Sequence, residues 1–104
     1  MREFNIKTCT ACYTGGGIHI YYGQLESGVY FRTADEWESV CFCNADTSDD
    51  AADYMEFYDK YLIREITGSD FNNFFEYMLL WILYNEPKGN YQITEIRQRY
   101  MELF

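Results

Sequence analysis

Large apolar side chains recur at every third or fourth position between residues 71 and 83, and few structures accommodate this spacing. The seven side chains are Phe71, Phe74, Phe75, Met78, Leu79, Ile82 and Leu83. Positions three and four apart share one face of an α-helix, so the segment predicts an amphipathic helix with an apolar stripe. Gly68-Ser69 precedes the stripe and Pro87 follows it, which marks a start and a stop. Such a helix needs a second layer against which it can bury its stripe.

The first half of the chain carries the period of two that is typical of strands. Four alternating segments separated by turn residues predict an antiparallel meander. The segments are residues 4–13, 18–22, 29–32 and 37–43. Glu26-Ser27-Gly28 is the expected turn between the second and the third segment. Residues 62–66 fit either the end of a helix or a short edge strand.

Two further helices are expected in the second half. Ser48 is a suitable N-cap for a helix over residues 49–60, and apolar residues from Ile93 to Leu103 continue the helical spacing towards the C-terminal end. Strands followed by helices predict an α+β fold, with an antiparallel sheet of four to five strands packed against two to three helices. The length of 104 residues predicts a single domain.

The net charge of −9 is confined to about a quarter of the chain. Residues 35–59 hold nine of the 17 acidic residues and none of the eight basic ones, so the rest of the chain is balanced. A charge that serves solubility alone is usually spread over the surface. The acidic block therefore predicts contact with a basic protein surface. It argues against direct binding to nucleic acid or to an anionic membrane, because both depend on Lys and Arg.

The predicted contact residues are the nine carboxylates of the block. They are Asp35, Glu36, Glu38, Asp46, Asp49, Asp50, Asp53, Glu56 and Asp59. In a helix, Asp49, Asp53 and Glu56 share one stripe with a carboxylate on successive turns, about every 5.4 Å. Alternate phosphates of a B-DNA strand recur at a comparable interval, since each nucleotide advances about 3.4 Å. A rigid acidic surface that imitates nucleic acid is one interpretation, and a simple solvated face is the other.

Four cysteines occur as Cys9-Thr-Ala-Cys12 and Cys41-Phe-Cys43. We expect them to be buried free thiols, because alternate cysteines on a strand share one face and pack well as small apolar side chains. A zinc site made of Cys9, Cys12, Cys41 and Cys43 is the alternative, since the first pair has the spacing of a zinc knuckle. Otherwise no cofactor is expected.

His19 is the one histidine of the chain. On an alternating strand we expect it at the surface or half-buried, as the partner of a neighbouring side chain. No residue spacing supports a catalytic pair, so the sequence predicts no enzyme activity.

The first seven residues contain no apolar run of the length found in signal peptides. The longest apolar stretch, Phe74 to Tyr84, is about half as long as a membrane span. We therefore expect a cytoplasmic protein whose cysteines remain reduced.

The small size, the strong acidity, the lack of a catalytic motif and the carboxylates of residues 35–59 together resemble a known group of proteins. These are the small acidic α+β inhibitors of phages and mobile elements, notably anti-CRISPR proteins and, more distantly, anti-restriction proteins. They share no common motif, so no residue-level role carries over. The resemblance implies an inhibitor that occupies the DNA- or RNA-binding surface of a nuclease inside a bacterial host. The alternative is an interaction module, or a homodimer, whose contact surface is aromatic, with Tyr21 and Tyr30 as candidates.

Overall fold

A computed structural model describes residues 4–15, 18–46, 59–85, 96–98 and 100–101 of the chain. Each strand pairs with the one that follows it in sequence, and all four pairings are antiparallel. The strands are β1 (Ile6–Gly15), β2 (Ile18–Leu25), β3 (Tyr30–Ala34), β4 (Ser39–Cys43) and β5 (Leu62–Thr67). The predicted α+β class and the antiparallel meander are confirmed, and residues 62–66 belong to an edge strand.

The start of β4 differs from the prediction, whereas the turn between β2 and β3 agrees with it. β4 begins at Ser39, because residues 35–38 form the turn that follows β3. The β2–β3 turn lies where it was predicted, and Gly28 takes the left-handed conformation there with a φ of 97°. Glycine adopts that conformation at low cost, which explains its position in the turn.

The predicted amphipathic helix is present as α1 (Gly68–Asn85), and its apolar stripe faces the sheet. Six of the seven stripe residues are buried: Phe71, Phe74, Phe75, Met78, Leu79 and Ile82. The ring of Phe74 lies edge-on to the rings of Phe31 and Phe42, at centroid distances of 5.3 Å and 5.5 Å. Leu83 is partly buried against the same core.

A β-bulge in β1 decides which of its side chains face the helix. Ile6 pairs with Leu25 but Thr8 pairs with Gln24, so the alternation shifts by one residue between them. Among the β1 side chains whose burial the structure describes, residues 6–12, the buried ones are Ile6, Cys9 and Ala11. Thr8, which simple alternation groups with Ile6, is exposed.

The sheet curls around α1, since the helix contacts β1 at one edge and β5 at the other. Phe4, just before β1, stacks on Phe42 of β4 at a centroid distance of 4.9 Å. The guanidinium of Arg64 in β5 lies 5.2 Å from the centroid of the Phe4 ring. The backbone N–H of Ile6 donates to the hydroxyl of Tyr77 at 2.9 Å, which ties β1 to the helix.

Residues 59–61, 96–98 and 100–101 also have helical backbone. Ile96 is 1% exposed and belongs to the core, as the predicted C-terminal helix requires. Ser48 and most of the helix predicted over residues 49–60 lie outside the described residues. Within the described part of the chain, no helix combines the length and the apolar character needed to cross a membrane.

Candidate functional site

The structure places the exposed carboxylates that it describes in the acidic block at the two ends of β4. Glu36 and Glu38 are exposed in the turn before the strand. Asp46 follows β4 and Asp59 precedes β5, and both are exposed at the opposite end because the two strands are antiparallel. The five residues of β4 separate the two ends by about 16 Å. The remaining predicted contact residues, Asp49, Asp50, Asp53 and Glu56, lie outside the described residues.

The carboxylate of Asp35 holds the β3–β4 turn against β2. Its Oδ2 accepts the backbone N–H of His19 at 2.8 Å, and its Oδ1 accepts the hydroxyl of Tyr21 at 2.7 Å. The backbone N–H of Asp35 donates in return to the carbonyl of His19 at 3.0 Å. With its side chain 12% exposed, Asp35 anchors the turn that presents Glu36 and Glu38. A direct contact between Asp35 and a partner stays a prediction.

His19 and Tyr21 are buried, which corrects the positions expected for both. His19 is 3% exposed, and its Nδ1 lies 3.4 Å from Oδ2 of Asp35. It is therefore the partner of a neighbouring side chain, as predicted, but inside the fold. Tyr21 has no exposed surface, and its ring meets that of Phe75 edge-on at 5.5 Å. Tyr21 was a candidate for an aromatic contact surface, and this prediction was wrong.

An open cleft with a volume of about 490 Å³ lies where β4 and β5 meet the start of α1. The described residues that line it are Glu38, Ser39, Glu65, Thr67, Gly68, Phe71 and Asn72. Strand register builds this corner, since Ser39 pairs with Thr67 and Gly68 then turns the chain into α1 with a φ of 62°. The volume is in the range of small-ligand sites, roughly 300–1,000 Å³.

At the cleft, the carboxylate of Glu65 contacts two donor groups of β4. Its Oε2 lies 3.4 Å from the hydroxyl of Ser39 and 3.4 Å from the thiol of Cys41, and both groups donate to it. Cys41 and Glu65 are register partners on β4 and β5, so their side chains share one face of the sheet. Asp70 adds an exposed carboxylate in the first turn of α1.

Sequence reasoning missed Glu65 and Asp70, because both lie outside the acidic block. Glu65 directly follows Arg64, so the two charges cancel when the net charge of a short segment is counted. Only the pairing of β4 with β5 brings Glu65 close to the turn that carries Glu38. One signal could have identified Glu65. Residues 62–66 were a possible edge strand, and Glu65 is the carboxylate in that segment.

The four cysteines do not come together. Cys9 lies on the helix-facing side of β1 and Cys12, three residues on, is exposed. Cys41 and Cys43 alternate with Val40 and Phe42 of the core and so share the other face of β4. β2 and β3 lie between the two pairs, a separation of about 14 Å along the sheet. Zinc holds its thiolates at about 2.3 Å. The expectation of buried thiols fits Cys9, Cys41 and Cys43, and it is wrong for Cys12.

The environment of β4 keeps its thiols protonated. Burial raises the pKa of Cys41 to about 12, and its hydrogen bond to Glu65 adds to the shift. Burial raises the pKa of Cys43 to about 11. A nucleophile or metal ligand must be a thiolate, so neither group is set up for that chemistry. Among the residues described, no three His, Cys, Asp or Glu side chains are grouped as metal ligands would be.

No protein-family model, no curated protein and no solved structure matches this chain.

Proposed function

We propose that this protein is a non-enzymatic inhibitor that imitates nucleic acid and blocks the DNA- or RNA-binding surface of a bacterial defence nuclease. The observation that carries the proposal is the gathering of exposed carboxylates at one end of the sheet. They come from the β3–β4 turn (Glu36 and Glu38), from β5 (Glu65) and from the first turn of α1 (Asp70). None of the described residues that line the cleft between these elements is basic.

Such a surface suits a partner that normally binds phosphates. Fixed carboxylates attract a basic groove over distance and raise the rate of association. The hydrogen bonds of Asp35 support this role, because they already restrict the β3–β4 turn in the free protein. The turn therefore loses less conformational entropy on binding. An inhibitor of this type acts in the bacterial cytoplasm, where its thiols stay reduced.

The proposal is tested with purified CRISPR effector nucleases and restriction nucleases. Each is mixed with its target DNA, with and without a molar excess of the protein, and the nuclease–DNA complex is measured by mobility shift. We expect the protein to displace DNA from its target nuclease. The affinity of the protein for that nuclease, measured by calorimetry, should fall steeply between about 50 mM and 300 mM salt, because salt screens exposed charges.

A matched pair of variants identifies the surface. Glu36→Gln with Glu38→Gln removes two charges before β4, and Asp46→Asn with Asp59→Asn removes two at its other end. The first pair should weaken inhibition more than the second. An inhibited nuclease that keeps its DNA, or a complex insensitive to salt, would contradict the proposal.

A second candidate function rests on the edge strand β5. Its residues Leu62 and Ile63 are 44% and 55% exposed, which is unusual for large apolar side chains at a sheet edge. An edge strand that carries exposed apolar side chains can bind other proteins by strand addition, including a second copy of the same chain. Sedimentation over a range of concentrations tests the homodimer. Ile63→Lys should abolish a dimer formed through β5, and a monomer at all concentrations would exclude this candidate.

A further inference from the structure

We infer that the cleft between β4, β5 and the start of α1 binds one arginine side chain of the basic partner. This inference rests on the proposed function, because it names the group that the acidic end of the molecule recognises. The cleft combines two carboxylates, Glu38 and Glu65, with the ring of Phe71. A guanidinium is the side-chain group that suits both features, since its planar fork donates to carboxylate oxygens and its weak hydration lets it lie against apolar surface.

One oxygen of the Glu65 carboxylate already has donors on β4. Ser39 and Cys41 both donate to its Oε2, and Oε1 receives neither bond. Oε1 is therefore the oxygen that can accept a charged donor from a partner. The high pKa of Cys41 keeps the thiol protonated near neutral pH, so the donor is present under ordinary conditions.

The apolar part of the cleft favours arginine over lysine. Phe71 is 8% exposed, so a small part of it borders the cleft and the rest is packed in the core. The ammonium of lysine is compact and strongly hydrated, whereas the guanidinium is planar and more weakly hydrated. An open site with an apolar edge therefore costs the guanidinium less desolvation than it costs the ammonium.

The N-terminus of α1 lies at the cleft, and its partial positive charge repels a cation. Negative side chains nearby have to outweigh this repulsion. The first turn of α1 carries a partial positive charge of about half an elementary charge. Asp70 lies in this turn and offsets it. Glu38 and Glu65 then leave the cleft with a negative balance, because the described lining holds no basic side chain.

The test compares hexa-arginine amide with hexa-lysine amide, which carry the same charge, in titrations of ¹⁵N-labelled protein followed by NMR. We expect the arginine peptide to bind at least several-fold more tightly. Its largest chemical-shift changes should fall on backbone amides of Ser39, Thr67, Gly68 and Asn72, which line the cleft.

A charge-matched pair of variants separates the cleft from the general acidity. Glu38→Gln with Glu65→Gln should remove the preference for arginine. It should also lower the affinity for the arginine peptide about tenfold, which is the effect of losing one charged hydrogen bond. Asp46→Asn with Asp59→Asn removes the same charge at the far end of β4 and should leave the preference intact. Thermal melts check that all variants fold.

Two results would overturn the inference in distinguishable ways. If both peptides bind equally and both variant pairs weaken them equally, the cleft has no role, while the acidic surface remains a binding surface. If neither peptide binds the parent protein at about 20 mM salt, where exposed charges are little screened, the proposed function fails together with the cleft.

Discussion

Helix α1 contributes to two regions, the core and the cleft, and different interactions form each of them. Along its middle, Phe75 and Leu79 are buried in the core, where their partners are rings and aliphatic chains. At its start, Gly68 and Asn72 line an open cleft together with Glu65 from the adjoining strand. The core depends on how much apolar surface one helix face presents. The cleft depends on which residues of two strands are paired. A substitution in the first region should therefore change stability, and one in the second should change recognition.

The core of α1 should show the largest effect. Phe75→Ala or Leu79→Ala leaves a cavity in a packed interior and should lower the free energy of unfolding by about 2–5 kcal/mol. Urea denaturation followed by circular dichroism measures the change. Asn73→Ala, on the exposed face of the same helix, is the control and should change it by less than about 0.5 kcal/mol. Equal effects of core and control would remove the distinction between the two regions.

The anchor of the β3–β4 turn should show an intermediate effect. Asp35→Asn keeps the size of the side chain but turns one acceptor oxygen into a donor, so either His19 N–H or the Tyr21 hydroxyl loses its acceptor. The expected cost is about 1–3 kcal/mol of unfolding free energy. Glu36→Gln, on the exposed part of the same turn, removes the same charge and should cost almost nothing. A change at Asp35 as small as that at Glu36 would show that the turn does not depend on its anchor.

The thiol of Cys41 should make stability depend on alkaline pH. Its pKa is about 12 in the folded protein against 9.0 for an unperturbed thiol, so the folded state holds the proton more tightly. This contribution is complete below about pH 9 and is lost as the pH rises towards 12. Stability measured between pH 8 and 10.5 should fall more steeply in the parent than in Cys41→Ala. Cys12→Ala, at an exposed thiol, is the control. If the free energy of unfolding changed with pH in the same way in the parent and in Cys41→Ala, the raised pKa of Cys41 would be contradicted.

The cleft should show the smallest effect on stability. Glu38→Gln with Glu65→Gln alters two exposed side chains, and the melting temperature should hardly change, since exposed substitutions usually stay within about 0.5 kcal/mol. Differential scanning calorimetry provides the measurement. A large loss of stability would mean that Glu65 holds β4 and β5 together, so that a loss of binding could no longer be assigned to the cleft.

Local patterns predicted the elements well because each depends on neighbouring residues in the chain. The three-to-four spacing over residues 71–83 placed α1 to within a few residues, and Gly28 marked the β2–β3 turn. The charge block over residues 35–59 identified exposed carboxylates such as Glu36 and Glu38. It could not indicate that Asp35, one residue away, points into the fold.

What the sequence by itself determined is the α+β class, the succession of β1 to β4 before α1 and the buried face of α1. Tertiary structure decided which strand faces are buried and which carboxylates line the same cleft. The bulge before Thr8 reverses the alternation of β1, and the pairing of Cys41 with Glu65 completes the cleft. The physical reason is that helix periodicity arises within one turn of chain, whereas strand register is set between distant segments. A shift of one residue in that register moves every side chain to the other face.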